Sequence, residues 1–336
     1  MSSKRIVSFF AFVFVAAVVL IPIIRKNITP KPAFSEIYSM NTIIDIEVYG
    51  KNTESTVKEI IKTINTVNAL TDDFSNTSDI YRINKNAGIK PVHVNPITFD
   101  MIQKSLYIAN KTNGAFDISI YPVSKIWGFK GGNYRIPAET EIKKALKLVS
   151  YKDVVLNSSE KTVFLKKKGE AIDLGGIAKG YTLDLIKKIL DNNNIPSALI
   201  NMGGNILTYK LPPNKDFWNI GIKNPRGDGI IGILKISGTK FISTSGDYER
   251  FFIKNGVRYC HIMSPFTGKP ARKIISVTVL SDKGYIGDAL STAFFVLGKN
   301  YALSNAKKFG VSIVGFDSNM EPFFTPNIKN ILELEK

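Results

Sequence analysis

This 336-residue chain is poor in the residues that most often announce chemistry, with one cysteine, two histidines and two tryptophans. A single cysteine excludes an internal disulfide framework. It is Cys260, so no cysteine stands near the N-terminus to carry a lipid. Acidic residues are also scarce, 28 against 45 basic ones, for a net charge of +17. Such an excess invites a nucleic-acid partner. The lysines are scattered, however, and no helix-turn-helix, zinc or RNA-binding pattern accompanies them. A solvated basic surface is the better reading, and beside a membrane it would favour anionic lipid or wall polymer. The chain has neither a P-loop nor a G-x-G-x-x-G fingerprint, and no fixed-period repeat or low-complexity tract.

What is present is the composition of a folded globule, 44% hydrophobic and 22% charged. Residues 1–30 stand apart. Ile6 to Ile24 is a run of 19 residues without a charge, bracketed by Lys4-Arg5 and Arg25-Lys26. At about 1.5 Å per residue it nearly spans a hydrocarbon layer of ~30 Å. The run ends in Leu-Ile-Pro-Ile-Ile instead of the small residues of a cleavage site, so it reads as an uncleaved N-terminal membrane anchor. Basic residues on both flanks leave its orientation open. Residues 31–37 then read as a linker, and 38–336 as the functional domain.

Apolar spacing along the chain predicts a strand ending at Gly50, a helix over Val57–Leu70 and another over about Pro96–Lys111. A strand pair is expected within 152–172, with Asp173 ending a strand. A helix is expected over 177–192, and strands over 197–209, 217–223 and, as two more, Gly229–Ser243. Asn255-Gly256 marks a hairpin, "IISVTVLS" a buried strand and "YIGDALSTAFFVLG" an apolar helix. Strands in adjacent runs with helices between groups argue for α+β layers over a regular βαβ alternation.

Three stretches carry candidate chemistry. In "AIDLGGIAKG" (171–180), Asp173 precedes a Gly175-Gly176 turn and a helix start, with Lys179 as a point charge for phosphate; a plain turn into a helix is the competing account. In "GDALSTAFFVLG", Asp288 and Thr292 share a helix face with Ser291 close by. They are oxygen ligands of the kind a hard divalent cation takes, or a helix cap and a back-bonded threonine. The third holds His261, where a hairpin ends and a loop begins, a base or phosphate donor or simply a bonded structural histidine. His93 has no such company and reads as surface.

Eight blocks in order extend these signals: Met40-Asn41-Thr42, "FSNTSDIYRIN", "GAFDISIYPVSKIWGF", "DLGGIAKGY", "ALINMGGNI", "STSGDYERFF", "RYCHIMSPFTGKP" and "DALSTAFFVLG". Together they resemble the ApbE family of flavin transferases, over about residues 38–315. The resemblance implies a layered α/β sandwich and magnesium-dependent transfer of FMN from FAD to a threonine or serine hydroxyl of an FMN-binding-type partner protein, with AMP leaving. Carried across by motif, Gly176 (through its carbonyl), Asp288 and Thr292, with Ser291 near, would hold Mg2+. FAD would be met by Met40, Asn76, Ala115, Phe116, Asp117, Asp173, Lys179, His261 and Ile262. His261 is the candidate to take the acceptor's proton or to contact the pyrophosphate.

The family's habit also implies a catalytic domain outside the cytoplasm, which the apolar run Ile6–Ile24 would tether to the cell membrane. The alternatives are an FAD pyrophosphatase releasing FMN and AMP, or an FAD-binding protein without turnover. Three positions depart from the family pattern: Asn41 where glycine is usual, Ser264 where aspartate is usual, and Asn205 where aspartate is often found.

Overall fold

A computed structural model describes residues 32–334. The apolar run Ile6–Ile24 lies outside them; among the described residues no helix is long and apolar enough to cross a membrane. The described chain opens with a hairpin of β1 (Ala33–Ser39) and β2 (Thr42–Tyr49), paired from Ala33↔Val48 to Ser39↔Thr42. Residues 33–37, expected as linker, are therefore strand. The inward positions are Ala33, Ser35, Ile37 and Ser39, too small and polar to announce a buried strand face, while Phe34 and Tyr38 point outward.

Then come α1 (Thr53–Thr71), α2 (Asp79–Lys85), β3 (Val92–His93), α3 (Pro96–Lys111), α4 (Tyr121–Ile126) and α5 (Glu139–Leu146). Helix α2 falls in a stretch that reads as polar and turn-rich. Its Ser78 cap accepts the Tyr81 amide at 3.0 Å, which supports a helix too short for periodicity to reveal. Helix α3 starts as its sequence implies, with Asn95 accepting the Ile97 amide and Pro96 in the first turn.

Strands β4 (Val154–Asn157) and β5 (Thr162–Leu165) form the expected pair, but the pairing ends at Leu165, so Asp173 lies on irregular backbone. Helix α6 (Ala178–Asn192) follows. Next are β6 (Ser197–Met202), β7 (Asn205–Tyr209), β8 (Trp218–Lys223), β9 (Ile230–Ile236) and β10 (Lys240–Gly246). The hairpin of β11 (Phe251–Lys254) and β12 (Val257–Cys260) turns at Asn255 and Gly256, both left-handed, at φ 52° and 73°. After it stand β13 (Ile274–Ser281), α7 (Gly284–Leu297), α8 (Lys299–Asn305), β14 (Ser312–Asp317), β15 (Pro322–Phe324) and β16 (Leu332–Leu334).

Eight strands form one antiparallel sheet in the order β1-β2-β6-β7-β10-β13-β14-β15. Alternate residues of each strand face opposite sides. Ile44, Ile46, Val48, Ile200 and Leu207 pack under α1 and α6, while Val277, Val279 and Ile313 pack under α7. On the other side Ile242, Leu280, Val314 and Phe316 meet the small sheet β16-β9-β8. The result is a helix layer, a large sheet and a small sheet, a mixed α+β fold. Helix α7 is buried nearly all round, with Ala289, Leu290, Ala293, Phe294 and Phe295 wholly inaccessible. Burying each leucine or phenylalanine among them contributes on the order of 2 kcal/mol, which holds α7 in the core.

Candidate active site

Helices α6 and α7 meet without side chains between them. A side-chain carbon added at Gly180 would lie 2.2 Å from the Gly284 carbonyl oxygen, and one at Gly284 would lie 2.1 Å from that of Gly180. Only glycine at both positions permits this approach. One turn further along α7, Asp288 therefore reaches the start of α6, where its Oδ2 accepts the Gly180 amide at 2.8 Å. Asp184 locks the same crossing from the other direction, its carboxylate accepting the amides of Gly284 and Tyr285 at 2.8 and 2.9 Å.

Gly176 lies at the foot of this arrangement. A side-chain carbon there would stand 3.4 Å from Thr292 Oγ1 and 3.1 Å from the Phe116 ring. The Gly176 carbonyl accepts no hydrogen bond among the described residues. Gly176, Asp288 and Thr292 are thus neighbours, and Ser291 lies just beneath them, donating to the Asp288 carbonyl and paired with Ser245 Oγ, both at 2.8 Å. Asp288 is 5% exposed, and burial pushes its carboxyl above the ordinary range. The charge of Lys179, the Gly180 amide and the side chain of Asn205 pull it back. Asn205 Oδ1 and Ser243 Oγ, cross-strand partners, are buried without a hydrogen-bond partner.

No group of three or more His, Cys, Asp and Glu side chains is placed to hold a metal among the described residues. A cation here would rest on one carboxylate with hydroxyl and carbonyl oxygens. That donor set suits a hard ion such as Mg2+, which keeps much of its water and takes few protein carboxylates.

His261 follows β12 directly. Its Nδ1 lies 3.2 Å from the Arg250 carbonyl, which can only accept, so Nδ1 carries the proton and Nε2 keeps its lone pair. Burial first, then the positive charges of Arg250 and Lys179, push the imidazole down to about 3; it is neutral at physiological pH. The Lys179 charge acts on both Asp288 and His261, linking the two ends of the site. Ile262 is buried beside His261 in the main core. Ser264, at the position where the family usually has aspartate, accepts the Phe266 amide in a tight turn.

The remaining candidates divide. Phe116 and Ala115 are buried, with Phe116 against Gly176. Met40 occupies the β1–β2 turn beside Thr182 of α6. Met40 and Asn41 are both left-handed, at φ 52° and 59°, which asparagine tolerates well, so the departure from glycine at 41 is conformationally mild. Asn76 is exposed in the turn before α2. The Asp117 carboxylate is buried and already occupied, accepting Ser119 N, Ser119 Oγ and Tyr151 N at 2.8, 2.6 and 3.0 Å. It holds its own loop.

Trp127 and Phe129 belong to a separate core cluster with Ile142 and Met263, and Trp127 Nε1 donates to the Gly268 carbonyl at 2.8 Å. Reading along the chain did not single out Arg250, Lys130 or Asp73. Arg250 stands inside a block already noted, but isolated charges carry no spacing that would mark them.

The ApbE family model matches residues 40–314. The chain is 37% identical to an FAD:protein FMN transferase of Klebsiella pneumoniae over 226 residues, covering 66% of this chain and 69% of that one. It is 31% identical to an FAD:protein FMN transferase of Treponema pallidum, covering 80% of each. An ApbE protein from Thermotoga maritima superposes with a TM-score of 0.85 at 31% identity, over 90% of this chain and 99% of that one. The flavin transferase ApbE of Vibrio cholerae shares the fold, with a TM-score of 0.80 at 23% identity over 90% of this chain and 99% of that one.

Proposed function

The chain belongs to the ApbE family, and from that premise we propose that it is a flavin transferase moving FMN from FAD to a threonine or serine hydroxyl of a partner protein, with AMP as the other product. The observation that carries the reading is the meeting of "DLGG" with "DALST": Gly176 beside Thr292, and Gly180 bonded to Asp288. Residues more than 100 positions apart converge there on one set of hard oxygen donors.

Asp288, Thr292 and the Gly176 carbonyl would hold Mg2+, which when bound supplies Lewis-acid neutralisation of a pyrophosphate. The chain's own residues do the rest. Lys179 faces the same space and offers charge to the phosphates, while Phe116 supplies apolar cover. The acceptor oxygen forms a bond to the phosphorus bearing riboflavin as the P–O bond to AMP breaks, the electron pair leaving on AMP. The hydroxyl proton passes to Nε2 of His261, whose basicity rises once the pyrophosphate of FAD, with one negative charge on each phosphate, lies beside it.

The same reading extends to where the protein works and to the other residues around FAD. The Ile6–Ile24 run anchors the chain, the domain works outside the cytoplasm, Met40, Asn76, Ala115, Asp173 and Ile262 form the FAD site, and Asp117 supports it by holding its own loop. Incubating the protein with FAD, Mg2+ and an FMN-binding-type acceptor tests it by intact mass. A gain of one FMN on the acceptor is expected. Free FMN and AMP with an unmodified acceptor would make the protein a pyrophosphatase, and unchanged FAD would make it a binding protein only.

A further inference from the structure

Asp173 is not alone at the mouth of the glycine turn. Its Oδ2 lies 3.0 Å from Nζ of Lys130, and the same ammonium lies 2.8 Å from Oδ2 of Asp73. The three side chains are 23%, 14% and 11% exposed, in the order Asp173, Lys130, Asp73. Lys130 also stands 5.4 Å from the centroid of the Tyr121 ring. Three segments distant in sequence are joined at this one nitrogen: the turn before α2, the loop after α4 and the turn before α6.

A lysine so placed gives up hydration and rotamer freedom, which a surface residue would keep. The attraction of both carboxylates outweighs the desolvation of the ammonium and raises its pKa, and Lys130 with Arg250 holds the Asp173 carboxyl below the ordinary range. The other oxygen of Asp173 accepts the Gly175 amide at 2.8 Å. The next residue is Gly176, packed on Phe116 and Thr292.

We propose that Lys130 is a positioning residue for the site. It fixes Asp173, Asp173 fixes Gly175, and through them the Gly176 carbonyl stays in register with Thr292 and Asp288. Without the ammonium, two partly buried carboxylates would repel each other and Asp173 would turn from the Gly175 amide. The inference rests on the flavin-transferase reading for its catalytic consequence, though not for its structural one.

The test compares full-length wild type with Lys130→Met, Lys130→Arg and the double variant Lys130→Met/Asp73→Asn. Two readouts are taken: hydrogen exchange of a peptide covering residues 171–180, and Mg2+-dependent FAD consumption. In Lys130→Met that peptide is expected to exchange at least about tenfold faster while the buried strand Ile274–Ser281 keeps wild-type protection, and kcat/KM falls by a similar factor. Lys130→Arg keeps both within about threefold of wild type, since its charge still bridges the carboxylates. The double variant recovers part of the protection because one stranded charge is gone.

Wild-type exchange in Lys130→Met, or an equal acceleration over the whole chain, overturns the proposal. So does a loss that neither Lys130→Arg nor Asp73→Asn relieves. If wild type itself leaves FAD unchanged, the flavin-transferase reading fails, and the exchange arm still decides the role of Lys130.

Discussion

The Gly180 amide donates to Asp288 Oδ2 at 2.8 Å, joining residues 108 positions apart at a contact between two helix backbones. The bond exists because Gly180 and Gly284 let α6 and α7 touch, and it sets the carboxylate that the proposed chemistry depends on.

Gly180→Ala tests that contact. The added carbon would fall 2.2 Å from the Gly284 carbonyl oxygen and 2.6 Å from Asp288 Cβ, and neither can yield without moving a helix. A loss of about 3 kcal/mol or more in denaturant unfolding is expected, as for overpacked cores. FAD turnover should fall with it, because Asp288 moves as the helices part. An alanine variant with wild-type stability and turnover would show that the crossing is not tight.

Asp288→Asn separates fold from chemistry. Burial raises the Asp288 carboxyl above its unfolded pKa. Its contribution to stability is therefore full below the unfolded value and is lost as pH rises through the folded one. At neutral pH in metal-free buffer, the neutral asparagine should melt about 2–4 °C above wild type, equivalent to roughly 1 kcal/mol. Mg2+-dependent consumption of FAD should be abolished in the same protein. Wild-type turnover by Asp288→Asn would remove the carboxylate from the proposed ligand set.

His261 gives the opposite pH dependence. Its imidazole is depressed to about 3, so stability is full above the unfolded value near 6.5 and declines as pH falls towards 3. Between pH 7 and pH 5 wild type should lose on the order of 1 kcal/mol more than His261→Gln does, after allowance for partial exposure. Urea titrations of both proteins at the two pH values measure the difference. Parallel losses would mean that the histidine titrates freely.

Asp117→Ala should behave as a folding mutation. It strands the amides of Ser119 and Tyr151 and the Ser119 hydroxyl, which the carboxylate now satisfies. A destabilisation of roughly 2–4 kcal/mol follows from leaving buried donors unpaired. Thermal unfolding without FAD reads this directly. A variant that melts like wild type but fails to bind FAD would make Asp117 a ligand contact instead.

Where hydrophobic period and turn chemistry act over short range, the sequence by itself was decisive. The helix at Pro96, the hairpin at Asn255-Gly256, the buried strand Ile274–Ser281 and the apolar helix carrying Asp288 all stand where the chain implies. Eight ordered motifs were likewise enough to indicate the family. Short elements were not legible: β1 needs β2 beside it, and α2 is too brief for a period to develop.

Only the tertiary structure decided how the candidates divide. Asp117 and Asp173 are both single carboxylates among glycines and aromatics, yet one is consumed by its own loop while the other is tied by Lys130 to Asp73. The physical reason is that burial and pairing belong to surroundings brought together by folding. A lone lysine or aspartate has no period, and its meaning comes from the charge that meets it.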